Sequence, residues 1–447
     1  MEEKKILNPP KKVLIITYYW PPSGGAGVQR WLKFSKYLPD FGWQPIIYTP
    51  ENPYFQLKDY SLLKDVHPSI RVIKRKIWEP YKLASLFFGT KKEKINTGNL
   101  DHAEKRTSWT KKIFNNVRAN WIIPDPRKFW VKPSVKFLKK LIREENIKIV
   151  ISTGPPHSMH LIGYSLKKNI PDLKWVADFR DPWSQLDFYD SLPISEKSLN
   201  HHKKLEKKVL ELADIVLATS PSMYKQLEPF DYNKYHFITN GYDPDDFTDQ
   251  IKKEKSSQKI TITHAGLLKS ERNPENLWKA LSKWISKYSD TSSPDLSLIC
   301  AGYVDSSIEE RLSKDSEIGK ILDLPGYLER TELQEIYNKT DVFLLLVNNT
   351  HNSSVNIPGK LFEYIATGKK ILVVCKKTDD VSTLLQTYPN ATIFDYNDSP
   401  DTYYSKLKTI FSGEIAPASA EFIEKFNRKN TTKQLSSILD ALYKQKA

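Results

Sequence analysis

Residues 13–31 read VLIITYYWPPSGGAGVQRW. The run VLIIT predicts a buried strand, and VQRWLKFSKYL (28–38) predicts a helix. Between them stand two prolines and three glycines, Gly24, Gly25 and Gly27. Glycine removes the Cβ that blocks close approach to the main chain, and it tolerates φ > 0. The N–H groups that open the next helix, with its dipole, favour an anion in front of them. This junction therefore predicts a phosphate held at a strand-to-helix loop. A tight turn with no ligand satisfies the same residues.

Strand and helix patterns alternate outward from this junction, which is the signature of a parallel α/β sheet. The first series continues with QPIIYTP (44–50), IKIVIST (147–153), KWVADF (174–179) and DIVLATS (214–220). A second series runs through KITITHAG (259–266), LSLICAGY (296–303), VFLLLVN (342–348), KKILVVC (369–375) and ATIFDYN (391–397). A polar, turn-rich linker near 240–257 separates them. The expected fold is α/β, with two Rossmann-like doubly wound domains, 1–240 and 241–420, facing across a cleft. A basic insertion, about 76–135, interrupts the first. A chain of 447 residues supports two cores of this size.

Composition narrows the class. The chain has 39% hydrophobic residues and 11 Trp, 23 Tyr and 19 Phe, as expected of a packed globular protein. Its apolar runs, such as Val342 to Val347, are too short to span a bilayer, and MEEKKILNPPKK lacks a secretory apolar core. Cys300 and Cys375 each end an apolar run and read as reduced core residues, so a cytoplasmic location is expected. Of the net charge of +15, fourteen Lys/Arg against four Asp/Glu fall within 91–140. There Trp109, Ile113, Val117 and Trp121 recur every four residues, with Lys111, Lys112 and Arg118 off the stripe. That pattern suits peripheral contact of segment 105–140 with the inner face of an anionic membrane, or a helix packed on its own domain. No nucleic-acid-binding motif accompanies the charge.

The second series repeats the opening logic. Gly266 follows a strand, and Lys269 and Arg272 stand just ahead of a helix begun by Asn273-Pro274. Further on, Pro358 and Gly359 open a helix with Lys360 in its first turn and Glu363 one turn below. A cation near a helix N-terminus is misplaced unless an anion neutralises it. A diphosphate between Arg272 and Lys360, with a sugar hydroxyl on Glu363, removes the misplacement; a simple Lys360–Glu363 pair also fits.

YYWPPSGGAGVQR, WVADFRDPW, FITNGYDPDDF, THAGLLKSERNPENL and PGKLFEYIATGKKIL occur in the order seen in family 4 retaining glycosyltransferases, and the resemblance covers nearly the whole chain. It implies the GT-B fold, with a C-terminal helix (421–447) crossing back to the first domain. It implies a nucleotide-diphosphate sugar as donor, UDP-linked above all, and a glycan or lipid-linked acceptor, in polysaccharide or glycoconjugate synthesis. The transferred group would be a hexosyl or N-acetylhexosaminyl unit. On this resemblance Gly24, Gly25 and Gly27 approach the donor phosphate or the acceptor. Arg272 grips the diphosphate with help from Lys360, Lys269 and Gly266, Glu363 binds ribose, and Tyr327 lines the base pocket. His157 contacts the transferred sugar, with His160 one turn on. Asp178, Arg180 and Asp181 close a strand aimed into the site, either as a structural ion pair or as an acceptor-binding group with a carboxylate assisting the hydroxyl.

Two positions depart from the family pattern: Val355 replaces the first of two Glu residues eight apart, and Leu267 replaces the Arg after the first glycine of the second series. No metal and no cofactor is expected; Asp243-Pro244-Asp245 imitates a metal-binding DxD but lies in a turn-rich stretch. The other readings are a catalytically silent nucleotide- or sugar-binding protein, a sugar-nucleotide epimerase of the same fold, and an NAD(P) enzyme. The last is disfavoured by Arg30 at the third glycine position and by Thr49 where an acid should end the second strand.

Overall fold

The computed structural model describes residues 10–55, 57–79, 116–185, 192–227, 232–247, 259–288, 295–412, 416 and 418–445. The chain divides into two units: Met1–Ile238 with Thr432–Ala447, and Thr239–Thr431. Each is built on one parallel sheet, as the alternation predicted.

The first unit contains β1 (Lys11–Ile16), β2 (Trp43–Pro50), β3 (Arg71–Arg75), β4 (Ile149–Gly154), β5 (Lys174–Phe179), β6 (Ile215–Ala218) and β7 (Tyr235–Phe237). Their order in the seven-stranded sheet is β3-β2-β1-β4-β5-β6-β7. Its helices include α1 (Ala26–Tyr37), α2 (Lys128–Glu144), α3 (Ser158–Asn169), α4 (Glu196–Leu212) and α5 (Pro221–Gln226). The central strands carry apolar residues on both faces because helices cover both. Val13, Ile15, Ile149 and Ile151 meet Val28, Trp31 and Leu32 of α1 in one core.

The second unit contains β8 (Ile260–Ala265), β9 (Leu296–Ala301), β10 (Leu322–Gly326), β11 (Val342–Leu346), β12 (Lys370–Val374) and β13 (Ala391–Phe394), in the order β10-β9-β8-β11-β12-β13. Its helices include α6 (Glu275–Tyr288), α7 (Ser306–Lys314), α8 (Arg330–Lys339), α9 (Gly359–Ala366), α10 (Asp380–Leu385), α11 (Pro400–Ser412) and α12 (Ala420–Glu424). The last helix, α13 (Arg428–Lys444), contains the boundary between the units. From Thr432 onward it belongs to the first unit, where Leu435, Leu439 and Leu442 join the core of β1 and β4.

In each sheet the chain reverses its direction of winding once, between β1 and β4 and between β8 and β11. Loops that leave the carboxyl ends of strands at such a reversal diverge and leave a crevice for ligands. The glycine junction follows β1, Pro155 to His157 follow β4, Gly266 to Arg272 follow β8, and Lys360 opens the helix after β11. Sequence candidates from distant segments are thus gathered at these two reversals. Cys300 and Cys375 are buried free thiols, each pushed up to about 12 by its burial. Among the described residues no helix is long and apolar enough to cross a membrane.

Candidate functional site

In the second unit, β8 ends at Ala265 and the chain turns through Gly266 at φ 141, a conformation closed to most side chains. A Cβ there would also collide with the Lys360 ammonium, so the bare glycine is what lets that cation lie against the strand end. Helix α9 is docked on the same strand end, where the Ala265 N–H donates to Tyr364 Oη at 3.1 Å. Arg272 closes the short 3₁₀ turn Ser270–Arg272, which starts after Lys269.

Lys360 and Arg272 make no ion pair or side-chain hydrogen bond among the described residues, and Arg272 Nε is a buried donor without an acceptor. Desolvation lowers the Lys360 pKa to about 8; Glu363 opposes the shift, while Arg272 and Arg330 reinforce it. Arg272 is likewise lowered, by burial. Beside them His264 is almost fully buried, its Nδ1 3.0 Å from the Leu344 carbonyl and its Nε2 without a partner. Burial and then the Lys360 charge hold its pKa down at about 4. Three basic side chains thus crowd one strand end, and among the described residues no carboxylate lies within ion-pair distance of any of them. A protein interior tolerates such an arrangement poorly unless an anion completes it.

The expected alternative, a Lys360–Glu363 pair, does not form. Glu363 instead accepts from Arg330 Nη1 at 2.9 Å and from Tyr337 Oη at 3.0 Å. Arg330 also reaches Asp246 Oδ2 at 3.0 Å. Burial, and then the Glu363 charge, keep the Tyr337 phenol far above its ordinary pKa, so it serves only as a donor. Glu363 is therefore an oriented acceptor whose remaining lone pairs suit adjacent hydroxyls. Sequence reasoning missed Arg330, although it carries the same signal as Lys360, a cation in the first turn of a helix. Replacing it leaves two carboxylates without their cation: Arg330→Ala is expected to lower the unfolding free energy by about 2–3 kcal/mol, read by urea denaturation without ligand. Tyr327, in the loop after β10, is 53% exposed near the end of that strand.

In the first unit the glycines divide by role. Gly24 and Gly27 serve the chain's own packing: a Cβ on Gly24 would press on Leu57 Cγ at 2.9 Å, and one on Gly27 would press on the Tyr19 ring at 3.1 Å. Gly25, exposed and at φ 81, makes the turn into α1. The bare backbone is thus demanded at two of three positions by neighbours already present.

The strand end 178–183 departs further from expectation. Asp178 is wholly buried, and its carboxylate accepts from Arg30 Nε at 3.1 Å, Arg30 Nη2 at 3.0 Å, Trp31 Nε1 at 2.7 Å and Thr153 Oγ1 at 2.8 Å. It ties α1 and β4 to β5 and has no face left for a ligand, so the expectation of a site role fails for it. Arg180 pairs with neither neighbouring carboxylate. It donates to the carbonyls of Gly27 at 2.5 Å and Gly154 at 3.3 Å, and to that of Pro155, stitching three loops together. Asp181 is different: no hydrogen-bond partner faces it among the described residues, and burial raises its pKa against the pull of Arg180.

His157 has both ring nitrogens buried and unpartnered. Its imidazole stacks on Trp183 at 4.7 Å between centroids and 4° between planes. The Trp183 indole is itself fixed, donating to His202 Nδ1 at 3.1 Å. His160 is engaged at Nδ1 by Ser152 Oγ, 2.9 Å away, and stacks on Phe179. Burial lowers the pKa of both, so each ring is neutral near pH 7.

The turn Asp243-Pro244-Asp245 is structural, because Asp243 caps it by accepting from the Asp245 N–H at 3.2 Å. Among the described residues no group of three or more His, Cys, Asp or Glu could hold a metal ion. Of the expected amphipathic stripe, Trp109, Lys111, Lys112 and Ile113 lie outside the described residues. Residues 116–121 are helical, with Val117 and Trp121 exposed.

No family model matches the chain, and no curated protein matches it. Solved structures do. A glycosyltransferase from Rickettsia africae ESF-5 superposes with a TM-score of 0.60 at 16% identity, over 98% of this chain and 100% of that one. The E. coli trehalose-6-phosphate structure bound with UDP-2-fluoro glucose gives 0.61 at 10% identity, over 98% and 100%. A Listeria monocytogenes structure described as a UDP-N-acetylglucosamine 2-epimerase gives 0.53 at 10% identity, over 98% and 98%. At these identities the likeness is one of fold, and the fold, two Rossmann-like units over nearly the whole chain, is GT-B.

Proposed function

We propose that the protein is a retaining glycosyltransferase that takes a sugar from a nucleoside-diphosphate donor, UDP-linked above all, and delivers it to a glycan or lipid-linked acceptor. The observation that carries this reading is the pair Arg272 and Lys360, two cations without an anionic partner among the described residues, beside the strand reversal of the second unit. A diphosphate is the anion that suits two such groups. As the sugar–phosphate bond breaks, charge builds on the leaving oxygen, and these groups are aimed where it develops. Glu363 accepts the ribose hydroxyls, held by Arg330 and Tyr337, and Tyr327 offers its ring to the base. Lys269, at the head of the 3₁₀ turn, adds positive charge to the loop. In the first unit, neutral His157 donates to a hydroxyl of the transferred sugar. Asp181, with its raised pKa, accepts the proton of the attacking hydroxyl.

The test is thermal stabilisation by UDP, GDP, ADP, CMP and NAD. A ligand at 100 times its Kd adds about 2.7 kcal/mol. One nucleoside diphosphate is expected to shift the melting point, and a response to NAD alone would overturn the reading. The titration of Lys360 gives the pH dependence its sign. Its pKa in the free protein is about 8, and a bound diphosphate raises it, so the protonated form binds better. Affinity is full below pH 8 and falls by up to tenfold per pH unit above it, which repeating the titration at pH 7 and pH 9 would check.

Val355 gives one observation to a second reading. Where the family pattern has a carboxylate, this side chain is 4% exposed and apolar, which favours a nucleotide-binding protein without turnover. Hydrolysis of the donor without acceptor separates that protein from a transferase, and analysis of the sugar product separates an epimerase from both.

A further inference from the structure

Helix α2 buries Trp130, Ser134, Leu138, Leu141 and Ile142 on one side. At 100° per residue, its opposite side presents Phe129, Lys132, Lys136, Lys139, Lys140 and Arg143 as one stripe. Lys132, Lys136, Lys140 and Arg143 are exposed, and the row forms one wall of an open groove of about 740 Å³ whose other wall includes Ser165 and Asn169 of α3. Within α2 the counter-charge is Glu144, which sits 3.5 Å from Lys140. Lys139 is half-buried and donates to Asn169 Oδ1 at 3.0 Å, so four cations look outward with one acid beside them.

Large apolar side chains collect at the N-terminal end of this stripe. Trp121 is 76% exposed and Trp78 53%. Phe129 meets Trp78 edge to face at 4.8 Å, and Lys128 Nζ donates to the Trp121 carbonyl at 2.7 Å, which ties the Trp121 backbone to the start of α2. Neither feature alone is informative: exposed lysines solvate a helix, and single surface aromatics are common. Together they form a sided arrangement, with indole and phenyl rings grouped at one end and lysine ammoniums along the rest. An interface between water and lipid selects for this pairing, because indole rings settle at headgroup depth while ammonium groups meet anionic phosphates. Nucleic acid would call for aromatic rings interleaved with the cations so that bases could stack between them.

We propose that this face of the first unit docks on an anionic phospholipid bilayer, with the α2 lysines over the headgroups and Trp78, Trp121 and Phe129 in the interface. The surface overlaps the basic segment 105–140 that the sequence pattern suggested, but it is centred on α2 and reaches back to Trp78. It stands independently of the transferase reading.

Co-sedimentation of the full chain with vesicles tests it. Binding is expected to POPC/POPG (1:1) vesicles in 50 mM salt, to be weak to pure POPC, and to fall sharply in 500 mM salt. Lys132→Gln, Lys136→Gln and Lys140→Gln together should lower the partition coefficient roughly a hundredfold. Trp78→Ala with Trp121→Ala should lower it on the order of tenfold at unchanged charge. These side chains are exposed, so melting curves of both variants should overlay the parent. Equal binding to POPC and POPC/POPG, or no effect of the lysine substitutions, overturns the proposal. A loss with the lysine variant and none with the tryptophan variant also overturns it, since the face would then be a general polyanion site.

Discussion

An Arg272→Ala, Lys360→Ala protein is expected to lose about 10²- to 10⁴-fold in affinity for the nucleoside diphosphate that stabilises the parent. Each hydrogen bond to a charged group contributes about 1.5–3 kcal/mol, and the double variant removes both anchors. Without ligand the same variant should melt no lower than the parent. The reason is electrostatic: burial lowers both pKa values, and for Lys360 the Arg272 and Arg330 charges add to it, so the folded state disfavours these charges. Lys360, with a folded pKa of about 8, contributes a penalty below that pH, and the penalty fades as pH rises toward the unfolded value. Calorimetry on the two proteins, with and without ligand, separates the cases. Lost binding with undiminished stability identifies residues kept for a ligand. A large fall in ligand-free stability would make them structural and remove the observation on which the proposed function stands.

Asp178→Ala is expected to behave in the opposite way. Arg30 and Asp178 are 2% and 0% exposed and lie 3.0 Å apart, and Trp31 and Thr153 bond the same carboxylate. Truncation strands a buried guanidinium and costs about 3–5 kcal/mol, which corresponds to a fall in Tm on the order of 10 °C for a unit of this size. Asp178→Asn keeps the shape and part of the hydrogen bonding, so its loss should be smaller. If Asp178→Ala instead left the melting point alone and abolished turnover, the residue would have to be returned to the site.

The contrast between Asp178 and Asp181 shows where the sequence stops being legible. Both sit in WVADFRDPW. Asp178 lies inside β5, one residue before its end at Phe179, whereas Asp181 lies beyond it. Only the strand's true end decides which carboxylate is covered by α1, and the partner that covers it, Arg30, is 148 residues away. The interior strands were read because two covered faces give an unbroken apolar run, and the edge strand β13 because its ATIF carries no charge. RVIKR of β3, YHF of β7 and LDLPG of β10, the other three edge strands, went unread. They carry lysine, arginine, histidine and aspartate where an interior strand needs apolar groups, and such short polar edges guard a sheet against further pairing. In the site, Arg272 and Lys360 were legible because a cation at a helix start violates local electrostatics, and Glu363 because it lies one turn below Lys360 on the same face. His264 was not, since a histidine in an apolar strand announces nothing until the cations around it are known.

The division of the chain has a consequence for biosynthesis. The segment Thr239–Thr431 is interrupted by nothing, whereas the first unit needs Leu435, Leu439 and Leu442, and Trp43 Nε1 donates to Asp440 Oδ1 at 3.1 Å. During translation the first unit emerges early yet lacks one layer of its core until about two hundred further residues have been made. At ~5–20 residues per second that interval lasts on the order of ten seconds or more. The second unit is then the first able to complete its fold, and the earlier half of the polypeptide must wait with an apolar face uncovered. A ribosome stalled before residue 432 would carry a nascent chain whose Trp43 lacks Asp440 and Tyr443 and whose core lacks Leu435, Leu439 and Leu442, which marks it as a client for chaperones that hold exposed apolar surface.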